Sequence, residues 1–560
     1  MRFLARPAFF IALMVGAMLS AAVAQTAPKP GTGIITGRVT LGDKAASNIA
    51  VMLLPEERNK PERKSIAKAT TDYEGHYQLM NVPAGRYNVM AIAPALVGPS
   101  EGMYGESGKT VTIADGETVE KIDFALVKGG VITGRVTDGD GAPVIGERIH
   151  LNQADKQGQR GGRGFFSFNP SMYETDDRGI YRIYGIPAGK YTVSIGESTD
   201  EGISRFGIGG RGYYKRIFHP NMTEKSKATI IEIGEGSEAT NVDISLGRKS
   251  KSFAATGRIM DESGKAVVGA RVGNGSVMKD GKRMVGFGFG SISNSKGEFR
   301  LEGLMPGRYA AFVWGEGNAS DYSDTIQFEI TDGDISGLEL KMHRGSSISG
   351  IAIIEGTNDR TALATLSQLS LAAGVETEGL TAPSYTNVKI APDGSFRITG
   401  LRPGKARIFL SSFPEVKGFT LARVEREGIP VREIEITPGA QIIGVRAVIE
   451  YGSGSVRGVV KVENGTMPEN ARLVVSVRRR GDTTGGPTNR GAQVDSRGRF
   501  LIEGMATGDY ELTLQTFIPG TPPRRIAPVK QNMTVTNGVE AEVTLILDLN
   551  AKQPEGGNNE

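Results

Sequence analysis

The side chains best suited to acid–base or zinc chemistry are four histidines, His76, His150, His219 and His343. A zinc peptidase would carry a His-x-x-Glu pair with a distant third ligand. The third residue after each histidine is instead Leu79, Gln153, Met222 or Ser346, and none of these is a metal ligand. The chain has no cysteine, which excludes thiolate metal sites, cysteine nucleophiles, disulfides and a lipidated N-terminal cysteine. A Gly-x-Ser-x-Gly nucleophile elbow is present only in part, at Gly345-Ser346-Ser347, and Gly452-Ser453-Gly454-Ser455 reads as a linker. There is no phosphate-binding loop. These residues predict a non-enzyme with no cofactor and no metal.

Two further patterns offer binding chemistry. Asp138-Gly139-Asp140-Gly141 and Asp332-Gly333-Asp334 present oxygen ligands, but neither completes an EF-hand, and Asp-Gly pairs are what tight turns require. Turns are favoured over calcium. The second pattern is a pair of basic, glycine-rich, aromatic stretches, from Lys156 to Phe168 and from Arg205 to Arg216. They carry Phe165, Phe166, Phe168, Arg211, Tyr213 and Tyr214, and a related stretch carries Phe287 and Phe289. Aromatic faces stack on sugar rings, and arginines pair with carboxylates or sulfates. These eight residues are the candidate ligand-binding set. The competing reading is that the aromatics fold back on a sheet or a neighbouring unit. The only tryptophan, Trp314, falls out of register with the alternating Tyr309, Ala311 and Val313, which places it at a strand end.

The chain that must position these residues has 560 residues, 77 of them glycine. With 66 basic and 62 acidic side chains its net charge is only +4, which disfavours a nucleic-acid partner held by a basic field. Residues 1–24 read as a secretory signal peptide. Arg2 and Arg6 precede an apolar run that ends at the small residues Ala22-Val23-Ala24. No later run is apolar enough to span a bilayer, so export to the periplasm, outer surface or medium is expected, with no membrane span after cleavage.

An internal repeat dominates the rest. A glycine in an Asp-x-x-Gly-like turn recurs at Gly75, Gly179, Gly297, Gly394 and Gly498, and a second glycine follows ten residues later in every copy. Between them lie an aromatic (Tyr77, Tyr181, Phe299, Phe396, Phe500) and then an aliphatic (Leu79, Ile183, Leu301, Ile398, Ile502). This period of two marks strands with one buried face. The pattern continues past Val82-Pro83-Ala84-Gly85, which has the residue preferences of a type I turn, so the segment is expected to be a β-hairpin. Each copy opens with a strand such as Ile34-Ile35-Thr36-Gly37-Arg38-Val39 and closes with another alternating strand.

The repeat predicts an all-β protein, a tandem array of five antiparallel β-sandwiches of prealbumin/Ig-like type. The expected units are 31–127, 128–249, 250–344, 345–451 and 452–549, with 550–560 a disordered polar tail. Short linkers favour a semi-extended string of units. No amphipathic helix is expected; residues 361–373 are compatible with one helical turn or a strand.

The units resemble carboxypeptidase regulatory-like domains, the transthyretin-like, non-catalytic sandwiches of the carbohydrate-binding-like fold group. The likeness rests on Ile35-Thr36-Gly37-Arg38-Val39, Asp72-x-x-Gly75-x-Tyr77 and Val82-Pro83-Ala84-Gly85-Arg86-Tyr87, and on their repeats in the second unit. The third and fifth units follow closely, and the fourth departs with Ala406 in place of the last tyrosine. Collagen-binding-type B domains share this pattern and often carry a lysine–asparagine isopeptide bond. Arg38, Arg135 and Arg258 stand where the lysine would be, and a guanidinium forms no such amide. The resemblance implies a fold more than a function. The expectation is therefore an exported, non-catalytic binding or adhesion protein with a polysaccharide or envelope protein as partner. The alternatives are a structural stalk or assembly module without small ligand, and accessory domains of an envelope hydrolase or transport system. Ligand and oligomeric state stay open.

Overall fold

A computed structural model of the chain describes residues 32–55, 64–98, 108–154, 170–197, 212–278, 280–281, 283–314, 320–377, 379, 385–411, 416–467, 471–480, 491–517 and 526–550. Residues 1–24, expected to be a signal peptide, most of the two glycine-aromatic stretches and residues 551–560 lie outside these residues. The protein is an all-β array of five sandwiches, each built on its own hydrophobic cluster. Among the described residues, no helix is long and apolar enough to cross a membrane.

In the first sandwich the opening strand, Gly33–Leu41, pairs antiparallel with His76–Val82 and parallel with the closing strand Phe124–Lys128. The facing sheet runs Ala67–Thr70, Ala50–Pro55, Gly85–Ile92, Gly108–Ile113. Ile35, Val39, Tyr77 and Leu79 from one sheet meet Val51, Leu53, Val89 and Val111 from the other in one buried cluster. The same parallel pairing of opening and closing strands recurs in the other four sandwiches, as Val136 opposite Ile244, Gly257 opposite Leu338, Gly350 opposite Val445 and Gly458 opposite Val543.

The segment expected to be a hairpin is an arch. His76–Val82 pairs with the opening strand, whereas Gly85–Ile92 pairs with Ala50–Pro55 and Gly108–Ile113 in the opposite sheet. All five copies cross the core in this way. Alternation is the same whether two strands share a sheet or face each other across a core, so the pattern does not separate the two. The Tyr87 hydroxyl ties the arch by donating to the Pro83 carbonyl at 3.0 Å. Tyr191, Tyr309 and Tyr510 do the same to Pro187, Met305 and Ala506. Ala406 has no hydroxyl to give.

The repeated glycines have definite work. Gly75, Gly179, Gly297, Gly394 and Gly498 all have φ between +73° and +84°. In each, a Cβ would also stand within 2.8 Å of an opening-strand carbonyl, that of Val39 in the first sandwich. The opening glycine is equally constrained: a Cβ on Gly134 would lie 2.1 Å from the Val242 carbonyl, which accepts the buried Tyr181 hydroxyl at 2.6 Å. Residues 361–373 form both structures in succession. Asp359 caps the short helix Arg360–Ala364 by accepting from the Thr361 amide, and strand Ser370–Glu376 follows a 3-10 turn.

Candidate interaction sites at the sandwich junctions

Of the predicted ligand-binding set, Phe165, Phe166, Phe168 and Arg211 lie outside the described residues. Phe287 and Phe289 sit on strand Met284–Ile292, opposite Gly275 and Gly273. Tyr213 and Tyr214 lie where the second sandwich hands over to the third. Tyr213 exchanges backbone bonds with Ser250, at 2.9 and 2.7 Å. Its ring is buried. Burial pushes the hydroxyl's pKa up, and a bond with Ser250 offsets part of the rise. Tyr214 packs half-buried on the second core, with the Lys249 ammonium 5.2 Å from its ring centre. Trp314 ends the strand Gly307–Val313 as its register implies, its ring 6.1 Å from that of Phe312.

The acidic residues Asp138 and Asp334 are engaged by backbone amides, Asp138 within its own turn and Asp334 across to the opening strand of the third sandwich. The Asp138 carboxylate accepts from the amides of Asp140 and Ala142, and Asp334 accepts from Ala254. Among the described residues, no group of three or more histidine, aspartate or glutamate side chains is placed to hold a metal.

One histidine is more engaged than its surroundings in sequence suggest. His343 Nδ1 lies 3.2 Å from Glu262 and Nε2 lies 3.0 Å from Asp324. Both ring nitrogens face carboxylates, so neither is free to activate a nucleophile. The bond to Asp324 raises the imidazole pKa. Partial burial pulls it down, and the Asp324 charge and the Glu262 contact outweigh that pull, so it stays above its ordinary value. Tyr322 stacks on the imidazole at 5.3 Å, and the buried guanidinium of Arg402 lies 5.7 Å from the centre of the same Tyr322 ring. A column of His343, Tyr322 and Arg402 thus crosses from the third sandwich to the fourth. It borders an open cleft of ≈ 440 Å³ lined by Glu262, Asp321, His343, Arg344, Arg397 and Gln441, among others.

Consecutive sandwiches meet through close backbone contacts. Gly129 donates to Ala95, Gly345 to Ser320 and Gly452 to Gly418, at 2.8 to 3.0 Å. Ion pairs Lys417–Glu503 and Arg479–Glu450 add to the last junction.

The chain is not a string, because the fifth sandwich also touches the first. The turn at Asp495 docks on the edge strand Gly108–Ile113. Ser496 N donates to Thr110 O at 3.2 Å, and Thr112 N donates to Asp495 Oδ2 at 3.2 Å. Arg497 donates to the Thr112 carbonyl and, at 3.0 Å, to Glu117, which also accepts from Arg499 at 2.9 Å. Arg86 reaches the Gln493 carbonyl at 3.3 Å. Burial pushes the Glu117 carboxyl up, but the Ala114 amide, the Arg497 bond and the charges of Arg497 and Arg499 hold it below its ordinary value. Sequence reasoning missed this contact. Its one signal is that the fifth turn alone places arginines on both sides of its glycine, at Arg497 and Arg499.

No family model matches the chain, and no curated protein matches it significantly. Among solved structures, the Bacillus anthracis TIE protein is 14% identical with a TM-score of 0.14, covering 75% of this chain and 74% of that one. A streptococcal ancillary pilin is 13% identical with a TM-score of 0.19, covering 57% of this chain and 99% of the pilin. BcpA, the major pilin subunit of Bacillus cereus, is 12% identical with a TM-score of 0.14, covering 53% and 99%. At those identities and scores nothing about function follows from the likeness.

Proposed function

We propose that this chain is an exported, non-catalytic scaffold that binds or spaces components of a cell envelope, its five units running over the boundaries 31–127, 128–249, 250–344, 345–451 and 452–549. The observation that carries this reading is where the repeated motif residues are used. The tyrosines of the arch cap carbonyls and the turn aspartates accept their own backbone amides. His343 has both ring nitrogens turned to carboxylates. The repeat is thus a folding device, and the surfaces it holds up are polar junctions suited to contact with other molecules.

The finer form of the reading is recognition of a polysaccharide or other envelope polymer through the glycine-aromatic stretches. Tyr214 supports it, because a half-exposed ring beside the Lys249 ammonium suits an acidic sugar. The test is a glycan array probed with the purified mature chain, alongside an assay for hydrolysis of peptides, esters and glycosides. The expected outcome is no turnover, with array signals that fall on Tyr214→Ala. Turnover above the blank overturns the non-catalytic reading. A blank array, or one indifferent to Tyr214→Ala, removes the polymer reading and leaves the scaffold.

A further inference from the structure

The contact between the first and fifth sandwiches has three properties that together say what it is for. It is heterologous: one face is the Asp495–Arg499 turn, and the other is the edge strand with Glu117. It caps a sheet edge, since Gly108–Ile113 is the outermost strand of its sheet and Thr110 and Thr112 turn their backbone groups to the fifth sandwich. An uncovered edge of this kind invites another chain. And it is polar. Asp495 is fully buried, while the side chains of Arg497 and Glu117 are each 21% exposed. Thr112 Oγ1 and Arg497 Nε are buried in it without a bond. An ionic junction with unspent polar groups separates more readily than an apolar one, and it can be rejoined without exposing a hydrophobic core.

We infer that this junction is a clasp: it closes the five-sandwich array within one chain, and its two faces join copies of the chain head to tail when the internal contact is opened. A second copy is the partner the faces fit, because every copy carries one of each. Heterologous faces build closed rings or open filaments according to geometry, and here the ring closes within a single chain. The internal partner is favoured at low concentration because the linkers hold it at a high effective concentration. Exchange takes over once that partner is repelled. The clasp stands whether or not the chain binds an envelope polymer.

The test uses two charge-reversed forms of the full mature chain, Glu117→Arg and the pair Arg497→Glu with Arg499→Glu. Both turn substitutions have precedent in this protein. Glu74 precedes Gly75 as Arg497 precedes Gly498, and Glu298 follows Gly297 as Arg499 follows Gly498. The fold therefore accommodates them. In each form the internal faces carry like charge, with Arg457 adding to the repulsion in the first. The wild-type chain is expected to scatter X-rays as a closed ring. Each variant alone should open, raising the radius of gyration by roughly half, as a row of five ~13 Å bodies replaces a ring. Mixing the two variants should give a species of about twice the monomer mass by light scattering, since each supplies the face the other can accept. Combining all three substitutions in one chain should restore the compact monomer. Variants as compact as wild type overturn the clasp, and open variants that stay monomeric when mixed overturn the joining of copies.

Discussion

The turn at Asp72 and the turn at Asp495 are one structure in two settings. Asp72 accepts from the amides of Glu74 and His76 at 2.9 and 2.8 Å, and Asp495 accepts from Arg497 and Arg499 at 2.9 and 2.8 Å. Gly75 and Gly498 take φ of +80° and +77°. Yet the Asp72 side chain is 54% exposed and that of Asp495 is wholly buried. In the first sandwich the aspartate only shapes its own loop. In the fifth, its second carboxylate oxygen meets Thr112 and Arg497, and the loop becomes a docking element. A recurring turn is therefore a local device whose wider role is set by what lies opposite it.

Substitution separates the two roles most sharply. Asp495→Ala is expected to cost about 2–3 kcal/mol, because it removes the acceptor of the buried Thr112 amide and one carboxylate partner of the partly buried Arg497, besides its own turn bonds. Asp72→Ala should cost about 1 kcal/mol, the value of a local turn bond. Guanidinium unfolding of the two variants measures the gap, and equal losses would dissolve the distinction.

Acid is the next lever, and it should act in opposite senses at two junctions. The Glu117 carboxyl is held below its ordinary value in the folded state. Its contribution is thus present above the usual carboxylate range and lost as pH falls through the depressed value. Arg457, Arg497 and Arg499 are the charged groups that face it from the fifth sandwich. His343 is raised above its ordinary 6.5 by Asp324 and Glu262, with Tyr322 and Arg402 packed alongside. Its contribution is complete below 6.5 and lost as pH rises through the raised value. Scattering should show the ring opening in acid. Unfolding followed by Trp314 should show the third sandwich weakening toward alkaline pH, an effect that His343→Gln abolishes.

Salt should act more weakly, because the clasp is largely buried. Raising ionic strength to about 1 M shortens the screening length to ~3 Å and should loosen the exposed Arg499–Glu117 pair before Arg497–Glu117. A small rise in the radius of gyration, absent in Arg499→Gln, is the expected reading. The smallest effect tests the comparison from the other side. Converting Glu74 and His76 to arginine copies the fifth turn into the first, but no Glu117 stands opposite. Stability should change by less than about 0.5 kcal/mol, with no change in shape.

Much of this protein is legible in its residue order, for reasons that particular residues make clear. Tyr77 and Leu79 alternate because one strand face is buried, and Gly75 recurs because only glycine takes its φ beside the Val39 carbonyl. Those constraints act within a few residues, or between strands of one core. The arch escaped detection because His76–Val82 and Gly85–Ile92 bury the same faces whether they pair or oppose. The roles of Tyr213 and His343 were hidden for a different reason. Ser250, Glu262 and Asp324 become their neighbours only when two sandwiches, or two strands of one sandwich, come together.

Sequence alone determined that the chain is five copies of an all-β sandwich, because turn chemistry and the period-two pattern are short-range and repeat with the unit. Tertiary structure alone decided that the fifth copy returns to the first. That contact joins residues 380 or more positions apart. Its partners, Glu117 and Arg497, are ordinary surface charges until the accumulated angles of four junctions bring them within 3.0 Å.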